Sequence, residues 1–404
     1  MAKMSLPIRT HGGISLPHQA RSFAELPRPD RAASLLAEIA AAPCAFSPVA
    51  ADRPLALYGA GSLGRLARDF LKTVGHSFVM AVDRDVARIA DAPDWRGVRV
   101  VRPEDVPAGE RRTVRLAVSL VTSPYVPLER SLANLGFEDI VPFYDLAESF
   151  RRVHPLSNGW FAAPLTAEDR GNTEAVLARW HDDLSRAHHL QFLAWRRLRQ
   201  EWTFADAPVA NDNRFFIPEL RSVLRGGEVF VDGGAHHGEV SEAFAKAVGT
   251  VRKIVAVEPD PASRARLAGN FSARLKASAV VLDCALSDEE GEALFHDDLD
   301  YASQLSPTGR TRVMRRRLDT LDLAPTVIKL HLEGAELPAL KGARDTLLKH
   351  RPILLATVYH NEDGIWKTAH WLMDTLPDYR FLFRAHSWCG TGAVIYAIPE
   401  ERAA

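Results

Sequence analysis

At 404 residues, 47% hydrophobic and 25% charged, the chain has the make-up of an ordinary globular protein of about two to three domains. Lys+Arg 50 against Asp+Glu 51 leaves a net charge of -1, which argues against a nucleic-acid binder and against capture by an acidic membrane surface. No run reaches the roughly 18 apolar residues of an integral membrane segment, and Cys44, Cys284 and Cys389 are too scattered for a disulfide framework or a zinc cluster, so a cytoplasmic setting and no metal are expected.

Residues 1 to about 28 mix Pro, Gly, His and Arg without periodicity and read as a loose arm. Pro7, His11, Pro17 and Arg21 interrupt any apolar stretch, so no secretory signal is expected. Asp30 is expected to cap a short helix through Ala42, stopped by Pro43. Arm and helix make up residues 1–52.

A first α/β pattern fills residues 53–150. Leu55 to Tyr58 reads as a buried strand, followed by Gly59-Ala-Gly61-Ser-Leu-Gly64 and a helix through Lys72. Phe78 to Val82 is a second strand, closed by Asp83. Val98 to Val101, Leu116 to Leu120 and Ile140-Val141 are further strands, with a helix over Leu128 to Leu135. The alternation predicts a small Rossmann-like parallel sheet. Amides at the helix start after Gly59, Gly61 and Gly64 suit a phosphate, and Asp83 suits a ribose. A nucleotide or nucleotide sugar is one reading of this lobe, a purely structural role another, and redox use of NAD a third. No Ser-Tyr-Lys constellation stands nearby to support hydride chemistry.

Residues 151–213 read as a helical connector. Leu184, His188, Phe192, Trp195, Leu198 and Trp202 recur at helical spacing, with Arg186, Arg196, Arg197 and Arg199 beside the stripe. A helix packed on one lobe is the plain reading, and a surface for phosphate or nucleic acid the alternative.

Residues 214–404 hold a second α/β pattern. Its strands are Val229 to Val231, Ile254 to Val257, Val280 to Leu282, Val327 to Leu330 and Ile353 to Val358. Tyr379 to Arg384 and Ala393 to Ile398 follow as an antiparallel hairpin around Gly390-Thr-Gly392. Five parallel strands and a terminal hairpin predict the seven-stranded Rossmann-like sheet of class I methyltransferases.

The first strand of this lobe runs into Asp232-Gly233-Gly234-Ala-His-His-Gly238. Glycines there let the backbone approach a ligand closely, at the carboxyl edge where α/β sheets bind their ligands. The second strand ends at Glu258-Pro259, where a carboxylate can accept from both ribose hydroxyls. The third ends at Asp283-Cys284-Ala285, an acceptor for an adenine amino group. Three acidic strand ends in order, glycine loop first and no pyrophosphate motif, suit S-adenosylmethionine as cofactor. His236 and His237 are expected to shape the loop.

Residues from about 214 to 399 resemble the FkbM family of methyltransferases. The stretches that carry the likeness are Glu228 to Ala235, Val257-Glu-Pro-Asp-Pro261, Ala285-Leu-Ser-Asp288, Ile328 to Leu337, Val358-Tyr-His360, Tyr379 to Ser387 and Val394-Ile-Tyr396. The resemblance implies O-methylation of a sugar hydroxyl or similar alcohol on a small-molecule or glycan acceptor. The family's usual Lys-apolar-Asp-apolar-Glu-Gly stretch here carries His331 in place of the Asp. Moving a methyl from a sulfonium to an alcohol requires in-line orientation and removal of a proton. Histidine suits that task. His331 and His360 are therefore the candidate general bases, with Glu333 and Lys329 orienting. His386, Ser303 and Gln304 are candidate acceptor contacts. Two other classes remain open at this point: a sensor that binds S-adenosylmethionine or a nucleotide sugar without turnover, and an NAD-dependent oxidoreductase working through the first lobe.

Overall fold

In the computed structural model, residues 10–11, 14–15, 18–44, 46–156, 163–275, 279–297 and 299–402 are described. Part of the expected arm, residues 1–9, 12–13 and 16–17, lies outside them. Its later part is not loose: β1 (Gln19–Phe23) is a strand. The helix that follows, α1 (Pro29–Ala41), starts on Pro29 after Arg28, so Asp30 sits in its first turn rather than at its cap.

The first lobe is β2 (Leu55–Tyr58), α2 (Ser62–Thr73), β3 (Met80–Val82), β4 (Val100–Val101), β5 (Arg115–Val118) and β6 (Asp139–Pro142), with short helices between. All five strands are parallel, in the order β4-β3-β2-β5-β6. β2 is buried along its length, as its Leu-Ala-Leu-Tyr sequence demands. The second strand begins at Met80 and not at Phe78, because Val79 is half exposed before the sheet begins.

The connector holds α3 (Ala167–Arg179), α4 (Asp183–Leu198) and β7 (Gln200–Phe204). β7 pairs in parallel with β1, tying the chain's beginning to its middle. α4 is buried on every side from Ser185 to Leu198. Its arginines therefore form no surface for phosphate or nucleic acid. Arg186 bonds Asp183 and the Trp180 carbonyl, Arg197 the carbonyls of Ala40 and Ala42, and Arg196 the carbonyls of Gly390 and Tyr359. Arg199 makes a fork to Asp145 of the first lobe at 2.8 and 3.0 Å.

The second lobe is built on β8 (Glu228–Gly233), α5 (Glu239–Val248), β9 (Val251–Val257), α6 (Pro261–Arg274) and β10 (Ala279–Leu282). Next come four short strands, β11 (Ala285–Leu286), β12 (Gly291–His296), β13 (Gln304–Leu305) and β14 (Thr311–Arg316). The main sheet resumes with β15 (Val327–Leu330) and β16 (Ile353–Thr357), then β17 (Tyr379–Ala385) and β18 (Ala393–Pro399). The seven-stranded order is β10-β9-β8-β15-β16-β18-β17, with β18 antiparallel to both neighbours. This is the class I methyltransferase sheet. The strands β11 to β14 make a separate four-stranded sheet beside it, which the sequence pattern did not predict.

One face of the main sheet is covered by α1, α3 and α4, in a single core that joins Leu35, Trp180 and Leu193 to Val231, Ile328 and Phe383. The two lobes also meet directly. Leu299 and Ala302 of the second lobe sit in the core of the first. The Trp388 amide donates to the Val121 carbonyl at 2.7 Å. Among the described residues no helix is long and apolar enough to cross a membrane.

Candidate active site

The order of the main sheet reverses between β8 and β15, and a cavity of about 290 Å³ opens at the carboxyl ends of these strands. Gly234 leaves β8 at φ +69°, and a Cβ there would stand 2.0 Å from the His331 carbonyl oxygen. Only glycine lets the loop pass so close to the end of β15. Gly238 turns at φ +92°, where a Cβ would strike Leu267 and Phe271 of α6 at 2.8 Å.

Asp232 stands inside the sheet and not on the cavity wall. It is fully buried, accepts from Lys329 Nζ at 2.8 Å, and accepts from Ser241 Oγ of α5 at 2.7 Å. Lys329 also donates to the carbonyls of Gly233 (3.2 Å) and Gly234 (2.8 Å). The pair braces the glycine loop from behind, with Lys329 itself reaching the wall. A buried ion pair is tolerated only when its remaining hydrogen bonds are satisfied, as they are here.

Glu258 does face the cavity, 6% exposed at the end of β9. Its Oε2 accepts from the His236 amide at 2.7 Å and its Oε1 from the Asp260 amide at 2.9 Å, which fixes the carboxylate with lone pairs to spare. Burial raises its pKa, and the two amides oppose the rise. Pro259, Cys284 and Ala285 continue the wall with Leu286. Asp283 is exposed and turned to Arg264, 2.6 Å away.

At the end of β15 the expected catalytic residues form a chain. His331 and Glu333 line the cavity; His360 is set back, 1% exposed and off the wall. His331 Nε2 lies 3.1 Å from Glu333 Oε1 and 3.1 Å from the Tyr359 hydroxyl. His360 Nε2 lies 3.3 Å from the same Glu333 oxygen, and its Nδ1 is 2.8 Å from Glu336 Oε1. Arg214 Nη2 donates to the Tyr359 hydroxyl at 2.7 Å and reaches within 3.4 Å of His331 Nε2. Glu333 adopts φ +50°, strain of the kind that gathers at functional loops.

The electrostatics separate the two histidines. Burial works against a charged His360, but Glu333, Tyr359 and Glu336 together outweigh it and raise its pKa well above the usual range. That direction, and its place off the cavity wall at 1% exposed, do not fit the expected role as a base. Burial and the Arg214 charge hold His331 down to about 3, so its ring is neutral. Burial would raise Glu333, but His360 and His331 bring it down to about 2.

Of the expected acceptor contacts, Ser303 is on the wall, its hydroxyl donating to the Asp300 carbonyl. Gln304 is buried behind it. His386 is away from the cavity, with Nδ1 2.8 Å from the Ala210 carbonyl and Nε2 2.8 Å from the Tyr396 hydroxyl. The glycine loop's His236 and His237 stack at 3.6 Å, and His236 Nε2 meets Asp300 Oδ1 at 2.9 Å across the mouth. Arg214 and Glu336 were not anticipated. Arg214 follows no periodic segment, and only the i, i+3 spacing of Glu333 and Glu336 hinted at a shared partner.

In the first lobe, Gly59, Gly61 and Asp83 line a second cavity of about 400 Å³. Gly64 does not line it. Its place is against Gly59, whose carbonyl oxygen would be 2.0 Å from a Cβ. Asp83 Oδ2 accepts from the Ala60 amide at 2.8 Å.

Residues 232–383 match the family described as the Methyltransferase FkbM domain. No curated protein matches the chain. The solved methyltransferase FkbM from Methylobacillus flagellatus KT is similar over 90% of this chain and 92% of its own, at 18% identity and a TM-score of 0.55. A precorrin-6y C5,15-methyltransferase from Geobacter metallireducens (16% identity, TM-score 0.31) aligns with 48% of this chain and 95% of its own. An rRNA methylase from Streptococcus thermophilus (12% identity, TM-score 0.30) aligns with 44% and 90%.

Proposed function

Because the C-terminal half of the chain is an FkbM-type methyltransferase domain, we propose that it carries the methyl group of S-adenosylmethionine to an alcohol, a sugar hydroxyl of a glycan, nucleotide sugar or secondary metabolite. The observation that carries this reading is the Glu258 carboxylate, fixed by two amides and opening on the same cavity as His331 and Glu333. The wall suits the donor: an acidic acceptor for the ribose, apolar Pro259, Ala285 and Leu286 for the adenine, and an ionised Glu333 to complement a sulfonium.

When bound, S-adenosylmethionine supplies an electrophilic methyl carbon. Glu258 accepts from the ribose hydroxyls, and Gly234 keeps the backbone clear of the ligand. The neutral His331 takes the proton from the acceptor hydroxyl, within reach of Ser303. Glu333, at 3.1 Å, steadies the imidazolium as it forms. His360, pinned by Glu336, keeps Glu333 in place, and Lys329 with Asp232 holds the loop.

Calorimetry with S-adenosylhomocysteine tests the donor site. Glu258→Ala is expected to weaken binding at least tenfold, since each hydrogen bond to a charged group is worth about 1.5–3 kcal/mol. His331→Ala should bind nearly as the parent does and lose about 100-fold in turnover with labelled donor, at the lower end for a general base. An unaltered chain that ignores S-adenosylhomocysteine would sink the reading. Binding with no methyl transfer to any sugar acceptor would turn it to a sensor.

A further inference from the structure

Building on that donor site, we infer that the methyl acceptor is linked to a nucleoside diphosphate and is held by both lobes at once. Its phosphates rest on the Gly59–Ser62 turn and its reacting hydroxyl passes Arg214 into the donor cavity.

The second cavity opens where the order of the first sheet reverses, between β2 and β5, the place where such sheets hold ligands. Gly61 precedes α2 with no side chain capping the helix, and a Cβ on it would meet nothing within 4 Å. The first amides of a twelve-residue helix thus face open space beside the cavity. An independent feature points the same way. Ser119 is among the residues that line this cavity, is 3% exposed, and among the described residues its buried hydroxyl has no hydrogen-bond partner. A buried hydroxyl without a partner is costly, and a phosphate oxygen would satisfy it. Asp83 at the end of β3 keeps lone pairs for a ribose hydroxyl while holding the turn through Ala60.

The two cavities share Arg214 and Tyr301 as walls, so the carboxyl edges of the two sheets face a common space. Arg214 is the cation at that junction, with its Nε buried and unpartnered among the described residues. Its charge is the second cause, after burial, that holds His331 down.

The test is calorimetry on the full chain with UDP, GDP and dTDP, with pyrophosphate and NAD for comparison, each with and without S-adenosylhomocysteine. One diphosphate should bind saturably, at least tenfold tighter than pyrophosphate. Saturating S-adenosylhomocysteine should change its affinity threefold or more, because the ligands share a wall and coupling is reciprocal. Gly61 has a negative φ of -73°, and a Cβ on it would meet nothing within 4 Å, so Gly61→Val adds bulk over the turn. It should cost at least tenfold in diphosphate affinity and leave S-adenosylhomocysteine within twofold. Should that variant misfold, Ser119→Ala carries the same expectation at threefold. Absence of diphosphate binding, preference for pyrophosphate or NAD, missing coupling, or unchanged affinity in the folded variants would each overturn the inference. A chain that binds S-adenosylhomocysteine and no nucleotide sinks this inference alone; one that binds no S-adenosylhomocysteine sinks the donor reading.

Discussion

Asp232 shows how far a residue's position can mislead about its direction. It stands at the end of the first strand of its lobe, where an acidic residue suggests ligand contact. Strand alternation instead turns it inward, onto Lys329. Asp232→Ala leaves that ammonium buried without its carboxylate, which should cost about 3–5 kcal/mol in urea unfolding. It should also loosen the Gly233–Gly234 turn that Lys329 holds, so S-adenosylhomocysteine binding weakens as a secondary effect. An unfolding free energy within about 0.5 kcal/mol of the parent would show that the pair is dispensable. Glu258, Pro259, Cys284, Ala285, His331 and Glu333 were legible because each follows an apolar strand at its carboxyl end. His360 was not placed correctly, because its neighbour Tyr359 takes the orientation toward the second cavity and His360 turns into the protein.

Among the elements, α4 and the strands behind the site carry an unusual load of buried imidazoles. Burial lowers His188 and His189 to about 3, His331 to about 3 and His386 to about 4. Each therefore binds its proton less readily in the folded chain than in the unfolded one. Stability should fall as pH drops from about 6.5 toward 3, by about 1.4 kcal/mol per pH unit for each group still neutral in the fold. Glu333, lowered to about 2, adds to the loss as pH falls through its own interval below about 4.3. His360 has the opposite sign: its raised pKa keeps it charged at neutrality, so it adds no slope below pH 6.5. Thermal melts across pH 4 to 7 check this, and a flat profile would contradict it. The long apolar strands were readable, and α4 was readable up to Leu198. It is buried on every side rather than amphipathic, and Trp202, expected on the same helix, stands on β7 after the chain turns at Arg199 (φ +52°). The four-stranded sheet of β11 to β14 was not readable, because β11 and β13 have two residues each and Glu292, Met314 and Arg312 point to solvent.

For the whole molecule, the two Rossmann-like lobes were legible from alternating strands and helices, but their union was not. It rests on contacts remote in sequence: Leu299 and Ala302 in the first core, Arg199 on Asp145, and Trp388 on Val121. A chain joined in this way should unfold in one transition, with calorimetric and van't Hoff enthalpies in agreement. Two separated transitions would mean that the lobes are independent.

The pairing of Gln19–Phe23 with Gln200–Phe204 has a consequence for the order in which the protein can be made. The five strands of the first lobe all leave the ribosome before residue 143 and can pair among themselves as they emerge. The ribbon of β1 has no such local mate. It must wait, unpaired, until the chain has been synthesised beyond Phe204, and the core that holds Trp202 and Phe204 is completed only by Val231, Ile328 and Phe383 of the second sheet. The first sheet can thus be complete in the growing chain while the clasp and the second sheet still lack the residues that bury them.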